Sequence, residues 1–196
     1  MFANRFTVVL DACVLVPVLK RNILLSLAEA EFFRARWSAR ILSETGRAIE
    51  DELGRRGVDD AGLRASKAVR SMQTAFAEAQ VEGFEPIEAG LLGLPDADDA
   101  HVVAAAVRAG ASMIVTDNLR HFPHAVLDPL GLEVCGCDVF IADTIDLEPG
   151  KAIGALRTMR ERFAGPELDA GALLRKIEGA GMLATADALL AHLDRL

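Results

Sequence analysis

Two stretches of the chain each carry an apolar, β-branched run into an aspartate: Phe6-Thr7-Val8-Val9-Leu10-Asp11 and Ser112-Met113-Ile114-Val115-Thr116-Asp117. The apolar residues are continuous rather than alternating, so each run reads as a strand covered on both faces, as in a parallel sheet. In an open α/β sheet the carboxyl ends of the strands face the binding crevice. Two strands that each deliver an aspartate there put paired negative charge in one cleft. A further acidic run, Asp96-Ala97-Asp98-Asp99, opens the helix before the second strand. Carboxylates about 4 Å apart repel by roughly 4 kcal/mol at an effective dielectric of ~20. The simplest compensator is a divalent cation.

The rest of the sequence alternates strands with helices. Pro17 to Asn22 reads as a connection, and Ile23, Leu24, Leu27, Ala28 and Glu31-Phe32-Phe33 as a helix. Ser38 is an N-cap for a second helix, whose Ile41, Leu42, Thr45, Ala48, Ile49 and Leu53 form one apolar stripe with Glu44 at its edge. A third helix carries Ala65, Val69, Met72, Phe76 and Ala79, before a short strand near Gln80 to Glu82 and a loop from Gly83 to Pro95. The helix from Asp98 to about Arg108 stops at Gly110, and Glu133-Val134-Cys135 adds a last strand. This alternation predicts a three-layer α/β/α sandwich around a central parallel sheet. After Asp138 the pattern is helical only: Ala152 to Phe163, Leu168 to Glu178 and Leu183 to Leu196, separated by Gly165-Pro166 and Gly181-Met182. The expected organisation is a domain over residues 1–138 and a helical C-terminal extension over 139–196.

Composition narrows the class. With 196 residues and 52% hydrophobic content the chain can bury a sizeable core. Its longest apolar stretch, Val8 to Leu19, is broken by Asp11 and Pro17 and is too short for a bilayer, and Met1-Phe2-Ala3-Asn4-Arg5 does not open a secretory signal. The expected location is cytoplasmic, with no membrane partner. Cys13, Cys135 and Cys137 lack zinc-type spacing and read as small buried hydrophobes. A net charge of −8 excludes indiscriminate nucleic-acid binding but permits a local basic face.

Cys13 stands two residues after Asp11, where a haloacid-dehalogenase-type phosphatase needs its second acid. Nucleophile elbows, phosphate-binding glycine loops and H-E-x-x-H motifs are missing too. Metal-assisted phosphodiester hydrolysis fits better, because it needs several carboxylates and no protein nucleophile. Each acid also has a plainer use: Asp11 and Asp117 in turn hydrogen bonds, Glu44 in an ion-pair ladder with Arg40 and Arg47, and the 96–99 run as helix caps.

Four segments, in this order, resemble the PIN-domain ribonucleases, and among them the VapC-like toxins of bacterial toxin–antitoxin modules. They are Val8-Val9-Leu10-Asp11-Ala12, Trp37 to Glu44 with Arg47, Pro95-Asp96-Ala97-Asp98-Asp99-Ala100-His101-Val102, and Ile114-Val115-Thr116-Asp117-Asn118. The resemblance implies a PIN-like fold and a metal-dependent endoribonuclease. Asp11, Glu44, Asp99 and Asp117 would be catalytic and would bind Mg²⁺ or Mn²⁺, with Asp96 as an auxiliary ligand and Thr116 and Asn118 in support. It further implies an RNA substrate, a cognate antitoxin and possible pairing as a homodimer. Lys20, Arg21, Arg40, Arg47 and Arg120 are the candidates for RNA contacts. The matching subgroup carries an aspartate before its Phe-Pro pair, where this chain has His121. The acid is therefore expected to have moved to Asp117, leaving His121 peripheral, while His101 lines its helix. A catalytically silent scaffold, and a metal-dependent phosphatase or DNA nuclease, are the alternatives.

Overall fold

The computed structural model describes residues 6–163 and 168–196; the opening Met1-Phe2-Ala3-Asn4-Arg5 and the Gly165-Pro166 break lie outside the described residues. The chain begins with β1 (Thr7–Leu10), the short α1 (Ala12–Leu15) and α2 (Val18–Glu29). The residues from Val18 to Asn22, expected as connection, are helical: Pro17 is in the extended conformation just before α2, where its missing N–H costs nothing. At its other end α2 stops before Phe32-Phe33, because Glu31 adopts a left-handed φ of 65°. Both rings turn into the core, and Phe33 packs edge-on against Phe140 at 4.9 Å.

Next comes β2 (Arg34–Ser38), a strand not expected from the sequence, and α3 (Ala39–Arg55), which Ser38 caps by accepting the Ile41 N–H at 3.2 Å. The buried residues of α3 are Ile41, Leu42, Thr45 and Ile49, the centre of the expected stripe. Helix α4 (Ala61–Ala75) leads to β3 (Gln80–Val81), then α5 (Glu85–Glu88) and α6 (Ala100–Ala109), which ends on Gly110 at φ 60°. The sheet is completed by β4 (Met113–Val115), α7 (His124–Leu127) and β5 (Glu133–Cys135).

Among the described residues the sheet has five strands, all parallel, in the order β3-β2-β1-β4-β5. The right-handed crossover rule for parallel strands assigns α1 to α4 to one face and α6 and α7 to the other; α2 and α3 pack on β2 and α6 packs on β1 to β4, in a PIN-like α/β/α arrangement. The strand order reverses between β1 and β4, so their carboxyl ends flank a switch point, where open sheets bind ligands. Leu10 is level with Val115, which sets Asp11 beside Thr116.

The helical tail comprises α8 (Cys137–Leu147), α9 (Pro149–Glu161), α10 (Ala170–Gly179) and α11 (Leu183–Leu190). Helices α8 and α9 pack on α2, and α11 packs on α8. Phe140, Ile141, Ile153, Leu173 and Leu189 belong to the same buried cluster as Val8 and Ile114. No helix among the described residues is long and apolar enough to cross a membrane.

Candidate active site

Three donors hold Asp11 at the end of β1. Thr116 Oγ1 donates to its Oδ2 at 2.6 Å, Cys13 Sγ to the same oxygen at 3.0 Å, and the Ala12 N–H to Oδ1 at 2.6 Å. Asp11 is buried yet keeps its carboxylate oriented at the switch point. Burial and the neighbouring Asp11 charge push the Cys13 thiol up to about 12, so it stays protonated and able to donate at neutral pH. The same sulfur accepts the Asp117 N–H at 3.3 Å, and Thr116 Oγ1 accepts the Asn118 N–H at 3.1 Å. Thr116 and Cys13, which the sequence left as a packing residue, thus link the two strand ends, while Asn118 contributes a backbone N–H to Thr116.

The acidic run brings Asp99 within electrostatic reach of Asp11. Asp96 accepts the Asp98 N–H at 3.0 Å, making a tight turn that directs Asp99 inward at the start of α6. His121 Nδ1 lies 2.7 Å from Asp99 Oδ2, and ligand atoms of Asp96, Asp99 and His121 all lie within 4.8 Å of one another. Burial raises the Asp99 carboxyl above its ordinary value; the Asp11 and Asp96 charges act in the same direction, against the opposing His121 hydrogen bond. Carboxylate oxygens with one imidazole suit a divalent cation, so the residues present fit the metal implied by the resemblance.

Glu44 and Asp117, two of the other expected ligands, each have side-chain partners. Glu44 Oε1 is 3.2 Å from His101 Nε2 and 3.4 Å from Arg40 Nε, and Glu44, like Asp11, lies outside the Asp96–Asp99–His121 group. Arg40 also reaches Glu88 Oε1 at 2.8 Å and the Asp98 carbonyl at 3.4 Å, joining α3 to α5 and to the acidic turn. Asp117 pairs with Lys20 at 2.5 Å and accepts the Cys137 N–H at 3.1 Å, so each of its oxygens has a partner.

The basic candidates divide in the same way. Arg21 is buried and donates to the Leu15 and Val16 carbonyls at 2.6 and 3.0 Å, so its charge closes the end of α1 instead of meeting a phosphate. Lys20 is committed to Asp117. Arg40 lies on the cleft rim, Arg47 is exposed on α3, and Arg120 is exposed with its Nε 3.3 Å from His121 Nε2. Neither Glu88 nor the His101–Glu44 contact was legible as site structure, since both depend on how α5 and α6 dock against α3.

The PIN domain family matches residues 7–120 and the VapC50 C-terminal domain matches residues 137–191. A protein of Mycobacterium tuberculosis (strain ATCC 25618 / H37Rv) named "Putative ribonuclease VapC50" is 37% identical over 76 residues, or 39% of this chain and 45% of that protein. The chain therefore matches less than half the length of this relative. No solved structure matches. The PIN match spans more than half of the 196 residues and ends just beyond β4 and Thr116, so the chain belongs to the PIN-domain family, with a VapC50-type C-terminal region behind it.

Proposed function

We propose that this chain is a divalent-cation-dependent endoribonuclease of the VapC type, acting as a growth-arresting toxin that a cognate antitoxin neutralises. The observation that carries this reading is the Asp96–Asp99–His121 cluster near the sheet's switch point, where the Asp99 carboxyl is raised by burial and by the Asp11 and Asp96 charges. Asp11, Asp96 and Asp99 would hold the cation. When bound, it supplies Lewis-acid stabilisation of the charge that develops on a phosphodiester during hydrolysis. The residues around it fix geometry. Thr116 and Cys13 orient Asp11, and His101 and Arg40 orient Glu44 at the flank, where its carboxylate can position the attacking water. Asp117, tied to Lys20 and to the start of α8, is the strut that keeps the β4 end in place. Arg40, Arg47 and Arg120 would draw RNA phosphates to the rim.

The test is cleavage of end-labelled RNA, single-stranded DNA and a small phosphate ester by chelator-treated protein with Mg²⁺ or Mn²⁺ added back, beside Asp99→Asn. RNA-selective cleavage that needs the added ion and disappears in the variant supports the proposal. Selective DNA or ester hydrolysis, or none with either ion, overturns it in favour of a different hydrolase or a silent scaffold.

A further inference from the structure

We infer that His121 is a ligand in this chain's metal site and that its imidazole tilts the site toward Mn²⁺ over Mg²⁺. The inference rests on the metal-dependent reading above and specifies the cation.

The geometry is that of groups able to share one ion. Neighbouring ligands of an octahedral cation at about 2.1 Å lie ~3 Å apart and opposite ones ~4.2 Å. His121 Nδ1 and Asp99 Oδ2 are 2.7 Å apart, and the ligand atoms of Asp96, Asp99 and His121 fall within 4.8 Å. The side chains of His121 and Asp99 keep 22% and 20% exposure, enough for an ion to enter from solvent. His121 is also well placed by its backbone. It closes a single 3₁₀ turn, Leu119–His121, with its N–H bonded to the Asn118 carbonyl at 2.9 Å, and the next residue, Phe122, is buried. At the β4 end, Asp117 is paired with Lys20, accepts the Cys137 N–H and lies outside the Asp96–Asp99–His121 group.

Without a cation, Arg120 Nε donates to His121 Nε2 at 3.3 Å, which leaves the ring proton on Nδ1, facing Asp99. A cation bound at Nδ1 takes the place of that proton. The proton moves to Nε2, the exposed Arg120 turns away, and the ring stays neutral. An imidazole nitrogen added to carboxylates raises affinity for first-row transition cations over Mg²⁺, which favours oxygen ligands alone and keeps its waters.

The experiment uses chelator-treated full chain titrated with Mn²⁺. Free ion is followed by electron paramagnetic resonance, ¹⁴N coupling to bound Mn²⁺ by pulsed resonance, and Mg²⁺ affinity by competition. The parent should show ¹⁴N coupling. His121→Gln should lose that coupling and bind Mn²⁺ roughly 10- to 100-fold more weakly, while His121→Asp should regain affinity with the preference shifted toward Mg²⁺. Mn²⁺ bound by the parent without ¹⁴N coupling, at an affinity that His121→Gln leaves unchanged, overturns the role of His121 and leaves the metal-dependent reading standing. A parent that binds neither ion overturns both.

Discussion

His101, buried at 1% exposure on α6, donates its Nε2–H to Glu44 Oε1 of α3 at 3.2 Å. The ring thereby holds a cleft acid from behind, two residues along the chain from Asp99. Burial acts to raise the Glu44 carboxyl, but the His101 hydrogen bond and charge, with Arg40, outweigh it and hold Glu44 below its ordinary value of 4.5. A depressed folded pKa stabilises the protein above the unfolded value, and that stabilisation is lost as pH falls through the folded one. His101→Leu should therefore lose about 1–3 kcal/mol at pH 7 and show a shallower loss between pH 5 and 3, whereas His101→Gln, which keeps an N–H donor, should lose less. Urea melts across that range decide it, and identical pH profiles for parent and leucine variant would sink the coupling.

Asp99 has the opposite sign. Its folded pKa lies above the ordinary 3.8, so stability falls as pH rises through that raised value. In chelator at pH 7, Asp99→Asn should be at least as stable as the parent, since asparagine still accepts from His121 while shedding the charge. A cation at about 100 times its dissociation constant should stabilise the parent by roughly 2.7 kcal/mol and the variant far less. Equal shifts in melting temperature would remove Asp99 from the site.

Asp117 should behave as a strut. With Asp117→Ala, Lys20 keeps only 18% side-chain exposure and loses its partner, and the Cys137 N–H loses its acceptor. The expected cost is about 1–3 kcal/mol, with Mn²⁺ affinity reduced less than in Asp99→Asn. Isothermal titration of both variants makes the comparison; a larger affinity loss in the Asp117 variant would return that acid to the metal.

Sequence made the β1 and β4 ends legible, because an unbroken apolar run ending in aspartate has few other uses in a parallel sheet. It missed β2 for a physical reason. Arg34-Ala35-Arg36-Trp37-Ser38 carries two arginines, and the preceding Phe32-Phe33 continues an apolar helical pattern that only the left-handed Glu31 interrupts. A non-glycine residue in that conformation leaves little trace in the sequence. The site was legible in the same uneven way. Its strand-end and helix-start acids could be read locally, while the approach of His121 to Asp99, and of Glu88 to Arg40, is set by loops and helices docking across 22 and 48 residues of chain.

Asp138 holds the tail. It accepts the Ala184 and Thr185 N–H groups at 3.0 and 2.8 Å, capping α11 from another helix. Burial acts to raise its pKa, yet the bonds from Thr185 and Ala184 prevail and keep it below the ordinary value. Asp138→Ala should cost about 1–2 kcal/mol at pH 7 and progressively less as pH falls through the depressed folded value, since the parent is then losing the same stabilisation. A urea midpoint unchanged at pH 7 would count against the cap.

Cys137 and Asp138 are adjacent at the start of α8, and between them they fasten it to two other elements: the Cys137 amide to Asp117 at the end of β4, and the Asp138 carboxylate to the first turn of α11. A dipeptide wired in this way makes local opening a shared event. Fraying at the cleft end of β4 should loosen the tail, and undocking of α11 should loosen the cleft, so deuterium uptake at the amides of Cys137, Ala184 and Thr185 should rise and fall together. A molecule that grips either end would then slow exchange at the other, with no need for a contact between them.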